Sequence, residues 1–220
     1  MGLRDLFNAQ AQAQVAEAVQ KVEEQSRAEV VPMVVAASGN YPQALWRGAT
    51  LGALGGPALL AALLRWVELW GLPWEFWLLV PPLAGAAVGY GLARWWPRAA
   101  RVFVTQEEMA TQVRERAEHA FLTEEVFATA QRTGMLIFVS LFERQVVVLG
   151  DKGIASRIPQ ERWNTVAQGI AQGLRQGRPV EALVWGIHQC GQLLQEAGLD
   201  LLPGDINELP DQLRLGEEKP

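Results

Sequence analysis

Two stretches of this chain, Gly48 to Leu64 and Phe76 to Ala93, contain no Asp, Glu, Lys, Arg or His. Surface this apolar must be covered by lipid or by protein, because leaving it in water is costly. Each stretch is near the ~17-residue lower limit for a spanning helix. Trp46, Trp66, Trp70, Trp74, Trp77, Trp95 and Trp96 stand at the ends, where an aromatic belt belongs. Residues 44–97 therefore read as a transmembrane helical hairpin closed at Gly71-Leu72-Pro73, the alternative being a helical pair buried in a protein core. Arg47, Arg94, Arg98 and Arg101 flank the outer ends, while Glu68 and Glu75 lie at the turn with Arg65 as the only cation nearby. This bias predicts a multi-pass inner (cell) membrane protein with both termini cytoplasmic. Gly48, Gly52 and Gly56 recur four apart, as do Gly85, Gly89 and Ala93, a spacing that lets helix backbones pack closely or serves a second protomer. Pro81-Pro82 should kink the second helix.

The remaining residues suffice for one domain of ordinary size in a chain of 220. Net charge is −5 with no basic stripe, which argues against nucleic acid as a partner. A single cysteine, Cys190, allows no intrachain disulfide. Met1-Gly2-Leu3-Arg4 leads into no apolar core, so no cleavable signal peptide is expected.

Residues 5–26 place Val15, Val19 and Val22 on one helical stripe. Leu3, Leu6 and Phe7 suit either a membrane surface or the domain core. Glu29 to Ala37 is a short β-branched run, hence a strand, with Pro32 pointing to an edge or a break in pairing. Thr105-x-x-Glu108 is a capping box, and Met109, Val113, Ala117 and Phe121 mark the buried face of the helix behind it. Thr123 caps a second helical segment, with Val126, Phe127 and Ala130 inward and Gly134 as its stop. Met135 to Phe142 and Gln145 to Leu149 form an antiparallel hairpin turning at Glu143-Arg144. Pro159 and Pro179 open two final helices, which end at Gly177 and Gly198. The tail from Leu199 has little to bury. The long crossover from the first strand to Met135–Phe142 predicts parallel neighbours. The fold class is α/β, a small mixed sheet sandwiched between helices and interrupted by the two-helix transmembrane hairpin. Its parts are 1–43, the hairpin 44–97, the remainder 98–198 and an acidic tail 199–220.

No phosphate-binding loop, dinucleotide fingerprint, zinc-protease helix or serine-hydrolase elbow occurs. His119 and His188 stand alone on helix surfaces, and Cys190 lies on a core stripe. Carboxylates are the remaining candidates. Glu29 opens one strand, Glu143 ends another and Asp151 follows the third, while Asp205, Glu208 and Asp211 lie in the tail. Convergence of Asp151, Glu29 and Glu143 would give a hard cation its oxygen ligands; otherwise they are solvated turn residues. Ser140 and Thr133 could act beside such a metal, but neither has a base beside it.

Several motifs resemble the TPM domain (TPM phosphatase) family, in its membrane-anchored bacterial type. They are Ala28-Glu29-Val30-Val31-Pro32 with Ser38 and Tyr41, Thr133 to Ser140, Glu143-Arg144-x-Val146-x-Val148, Asp151-x-Gly153-Ile154 and Trp163. Asp205-x-Asn207-Glu208-Leu209-Pro210 resembles the tail of those members. The resemblance implies an α/β/α sandwich, with functions that include acid-phosphatase-like activity, calcium binding and accessory roles in membrane complexes. Calcium is the cofactor it points to. The sequence departs from the family in having Arg132-Thr133-Gly134 where Asn-Asn-Gly is common, and in lacking a secretion signal. Two functions follow. One is a non-catalytic accessory or interaction module at the membrane, with the bilayer and a membrane protein or a second copy as partners. The other is a metal-dependent phosphatase-like hydrolase.

Overall fold

The computed structural model describes residues 2–63, 73–96, 101–201 and 207–216. The chain divides into two compact units, Asn40–Met109 and Met1–Gly39 with Ala110–Pro220.

The larger unit is built on a four-stranded mixed sheet of order β3-β2-β1-β4, with β1 Glu29–Val35, β2 Gly134–Ser140, β3 Gln145–Gly150 and β4 Arg214–Leu215. β1 and β2 are parallel in the register Glu29↔Gly134 through Val35↔Ser140, and β3 runs antiparallel to β2. β4 pairs with β1 at Met33 and Val34 alone, so Pro32, which has no amide hydrogen, is left outside that ladder. Alternation along the strands sends Val30, Val34, Met135, Ile137 and Val139 to one face and Val31, Met33, Val35, Leu136 and Phe138 to the other.

The first face is covered by α1 Leu3–Leu6, α2 Ala9–Glu23, and two helices that follow β3. On the second face lie Val113, Ala117 and Ala120 of α5, whose range Gln106–Thr123 starts in the smaller unit. After β3 come the single turn α6 Lys152–Ala155, then α7 Gln160–Arg175 and α8 Pro179–Glu196. Trp163, Ile170, Leu183, Ile187 and Leu194 from α7 and α8 fill the core. Leu3 and Phe7 are buried there too. Asn8, whose side chain accepts from the Ala11 amide, starts α2 separately from α1.

Two local expectations are corrected. Residues 124–133 are turns rather than a helix, with Glu125 and Arg132 at φ 50° and 56°. Gly134 opens β2 instead of stopping a helix, since a Cβ there would lie 1.7 Å from the Val126 carbonyl oxygen. The tail is not idle either: Leu213 is buried and β4 joins the sheet.

The smaller unit holds α3 Pro42–Leu63 and α4 Trp74–Trp95, packed antiparallel. The seam is made of the small residues singled out above. A Cβ on Gly48 would meet the Gly89 oxygen at 2.7 Å and Ala93 Cβ at 3.2 Å. One on Gly52 would meet the Gly85 oxygen at 2.0 Å, and one on Gly56 the Gly85 Cα at 3.0 Å. α4 continues through Pro81 and Pro82.

The expectation of a two-pass, inner-membrane protein is corrected here. Among the described residues no helix is long and apolar enough to cross a membrane. The physical reason is length and dilution. Within the described part of α3 beyond Arg47, the charge-free residues Gly48–Leu63 rise about 24 Å against a hydrocarbon core of ~30 Å. Thr50, Pro57 and four glycines dilute them further. In α4 the charge-free residues Phe76–Ala93 rise about 27 Å and include Pro81, Pro82, Gly85, Gly89 and Gly91. The transmembrane hairpin, the bilayer-bound function and the cytoplasmic placement of both ends fall together. Arg65, Trp66, Glu68, Trp70, Gly71 and Leu72 of the expected turn, with Pro97 and Arg98, lie outside the described residues.

Arg47 illustrates the misreading, because a cation taken as a topology signal has a local partner. Its guanidinium donates to both carboxylate oxygens of Glu108, at 2.8 and 2.7 Å, and to the Phe103 carbonyl at 2.9 Å. Glu108 also completes the capping box, accepting from the Thr105 amide while its own amide donates to Thr105 Oγ1. Arg47 first, and Thr105 second, hold the Glu108 carboxyl down at about 2. A depressed pKa means that this support is present above the ordinary carboxyl range and is lost as pH falls through about 2. Arg47→Ala should return the Glu108 carboxyl toward its ordinary range, read by NMR titration. A titration unmoved by that change would show that Arg47 does not set it.

Candidate functional site: carboxylates at the two ends of the sheet

The sheet separates the three acidic residues singled out in the sequence. Glu29 stands at the start of β1, and Asp151 follows β3 beside the start of β2, with its amide donating to the Gly134 carbonyl at 2.9 Å. Glu143 follows the far end of β2, about 20 Å away along a seven-residue strand. Asp151 and Glu29 thus share one end of the sheet and Glu143 does not.

Each carboxylate is engaged by protein groups. Asp151 accepts from the Lys152 amide at 2.7 Å, capping α6, and is ion-paired with Arg132 through both Nε and Nη2. The Arg132 guanidinium also stands 5.6 Å from the Phe127 ring centre. Glu29 accepts from the Glu208 and Leu209 amides at 3.1 and 3.2 Å. Burial, partly offset by those amides, raises its pKa. Glu143 is fully buried; it accepts from the Ser38 amide at 3.0 Å and from Ser140 Oγ. Ser140 therefore does have a carboxyl beside it, supplied by the turn. Both are sealed from solvent, so this pair ties the strand ends together and cannot reach a substrate. Thr133 is likewise structural, donating to the Arg27 carbonyl at 2.8 Å.

Among the described residues no three His, Cys, Asp or Glu side chains gather as a metal ion would require. Asp205 lies outside those residues. His119 and His188 are exposed on helices, and burial pushes the Cys190 thiol up, away from thiolate chemistry.

Sequence reasoning missed Glu23. It ends α2 beside the core residue Val22, where a solvated glutamate would pass unnoticed. Its Oε1 accepts from the Val30 amide at 2.9 Å, and its Oε2 lies 3.1 Å from Asn207 Nδ2. Glu23, Glu29, Arg27, Asn207 and Asp211 line one cavity of about 290 Å³. Burial above all, against the Val30 amide, pushes the Glu23 carboxyl up to about 8. Asn207, 184 residues away, is bonded to Glu23, and no local pattern announces it.

Residues 98–193 match the family model described as TPM domain (TPM phosphatase). The chain is similar in fold to the NMR structure of BA42 protein from the psychrophilic bacteria Bizionia argentinensis sp. nov. That likeness covers 98% of this chain and 99% of the other, with a TM-score of 0.60 and 17% identity. No curated protein matches the chain.

Proposed function

We propose that this chain is a TPM-domain protein whose α3–α4 hairpin is an association surface, pairing with the same hairpin of a second copy. The observation that carries this reading is where the large apolar side chains are left. Thirteen of the eighteen exposed large hydrophobic residues among those described lie on α3 and α4. Glycine and alanine occupy the seam, so leucine, valine and aromatic side chains face outward. Leu54 is 72% exposed, Leu83 67% and Trp95 82%. A monomer's largest apolar patch is ordinarily about 300–600 Å², whereas a stable interface takes about 800 Å² from each partner. A single bulky aromatic supplies on the order of 150 Å², so thirteen large exposed residues on two helices offer apolar area of the order that an interface takes. Its outer side chains carry almost no charge, so a two-fold pairing brings no like charges together. The engagement of Asp151, Glu29 and Glu143 with protein groups favours association over hydrolysis.

Light scattering on the purified full chain at tens of micromolar should give a dimer. Leu54→Glu with Leu83→Glu should give a monomer of unchanged helix content. A wild-type monomer, or a chain captured by phosphatidylcholine vesicles without dimerising, would overturn the reading.

A further inference from the structure

The segment 207–216 lies along β1 and is held at both ends. At its far end β4 pairs with Met33 and Val34, the Gly216 amide donates to the Val34 carbonyl at 2.9 Å, and Arg214 is ion-paired with Glu124. At its near end Glu29 accepts two of its amides. There, too, two carboxyl groups converge on one amide: Asn207 Nδ2 lies 3.1 Å from Glu23 Oε2 and 2.5 Å from Asp211 Oδ1. Ionised together, the two carboxyls repel across that amide, and a proton on Glu23 removes the repulsion.

We propose that residues 207–216 are a pH-operated strap: a proton on Glu23, which shares the Asn207 amide with Asp211, holds the segment on β1, and its loss lets the segment leave that edge. The freed edge would offer the unpaired backbone of β1 to an added strand. Glu23 faces Glu29 from β1 and Asp211 from the strap, both of which favour its protonated form. Glu24 and Arg27 line the same cavity. Arg27 keeps its positive charge on that lining, but its guanidinium is bonded to Gln131 Oε1 and the Gly198 carbonyl rather than to either carboxyl. The Glu208 carboxylate is turned to the Ala130 amide. Glu29 accepts its two amides whether or not Glu23 is charged, so it supplies the part of the hold that does not depend on this proton.

The sign follows from the geometry and agrees with burial. A carboxyl whose pKa is raised in the closed state contributes fully below the ordinary carboxyl range, and that contribution is lost as pH rises through about 8. Amide exchange on the full chain, followed by NMR from pH 6 to 9.5 and corrected for the intrinsic rate, tests this. The Glu208, Leu209 and Gly216 amides should lose protection about tenfold per pH unit above the midpoint, the slope of a one-proton release. Ile137 and Phe138 of β2 should stay protected. Glu23→Gln and Asp211→Asn, which keep the shape without the second charge, should hold the strap closed at pH 9.5. Flat protection in the wild type, equal loss in both variants, or β2 opening together with the strap would each overturn the proposal.

Discussion

Gly52→Val should force α3 and α4 apart. A Cβ at Gly52 would lie 2.0 Å from the Gly85 carbonyl oxygen and 2.7 Å from its carbon, and the same clash returns from the other side, with a Gly85 Cβ 2.1 Å from the Gly52 oxygen. The obstacle on each side is helix backbone, which cannot swing away as a side chain could. Relief therefore requires the helices to separate along the seam. Overpacking of a core costs about 1–3 kcal/mol, and a rigid backbone obstacle belongs at or above the top of that range. Gly55→Ala is the matched control. Nothing lies within 4 Å of its added Cβ, so it should gain up to about 1 kcal/mol of helix propensity. Urea unfolding monitored by far-UV circular dichroism should place the two variants on opposite sides of the wild type. A Gly52→Val protein that unfolds with the wild type would mean that the seam is not a close backbone contact.

That seam also marks the boundary of what could be read in the sequence. The charge-free runs announce helices, and the four-residue glycine spacing announces a face on which backbones meet. Neither says what covers the other faces, since leucine is equally at home against lipid and against leucine. The strands were legible because Val, Ile and Phe fill short runs between turn residues. The parallel pairing of β1 with β2 followed from the length of the crossover between them. Gly134 was misread because a glycine that stops a helix and one that clears a neighbouring carbonyl look alike in sequence. Strand direction alone already parts Glu143 from Glu29, one residue following β2 and the other opening its parallel neighbour. Glu23 was beyond reach for another reason: its environment is made by Asn207 and Asp211, brought back across the sheet by β4.

Glu143→Ala should be the most damaging change at the other end of the sheet. Its carboxyl closes a buried chain in which Ser38 Oγ donates to Ser140 Oγ at 2.9 Å and Ser140 Oγ donates to the carboxyl. The second carboxyl oxygen accepts from the Ser38 amide. Ser38 follows β1 and Ser140 ends β2, so the carboxyl fastens the two parallel strands where their ladder runs out. The Leu141 and Phe142 amides, donating to the Val35 and Ala36 carbonyls at 3.1 and 2.9 Å, continue that join. Alanine would strand the Ser38 amide and the Ser140 hydroxyl in a site with no access to water. At about 1–3 kcal/mol for each orphaned donor, the loss is on the order of 4 kcal/mol. At about 2–4 °C per kcal/mol for a chain of this size, the melting temperature should fall on the order of 10 °C. Glu143→Gln keeps the volume and the acceptor for the Ser38 amide, and gives up only the second acceptor, so it should lose about half as much. If alanine and glutamine cost the same, volume rather than hydrogen bonding holds this corner. If neither lowers the melting temperature, the strand ends are fastened by the backbone ladder alone.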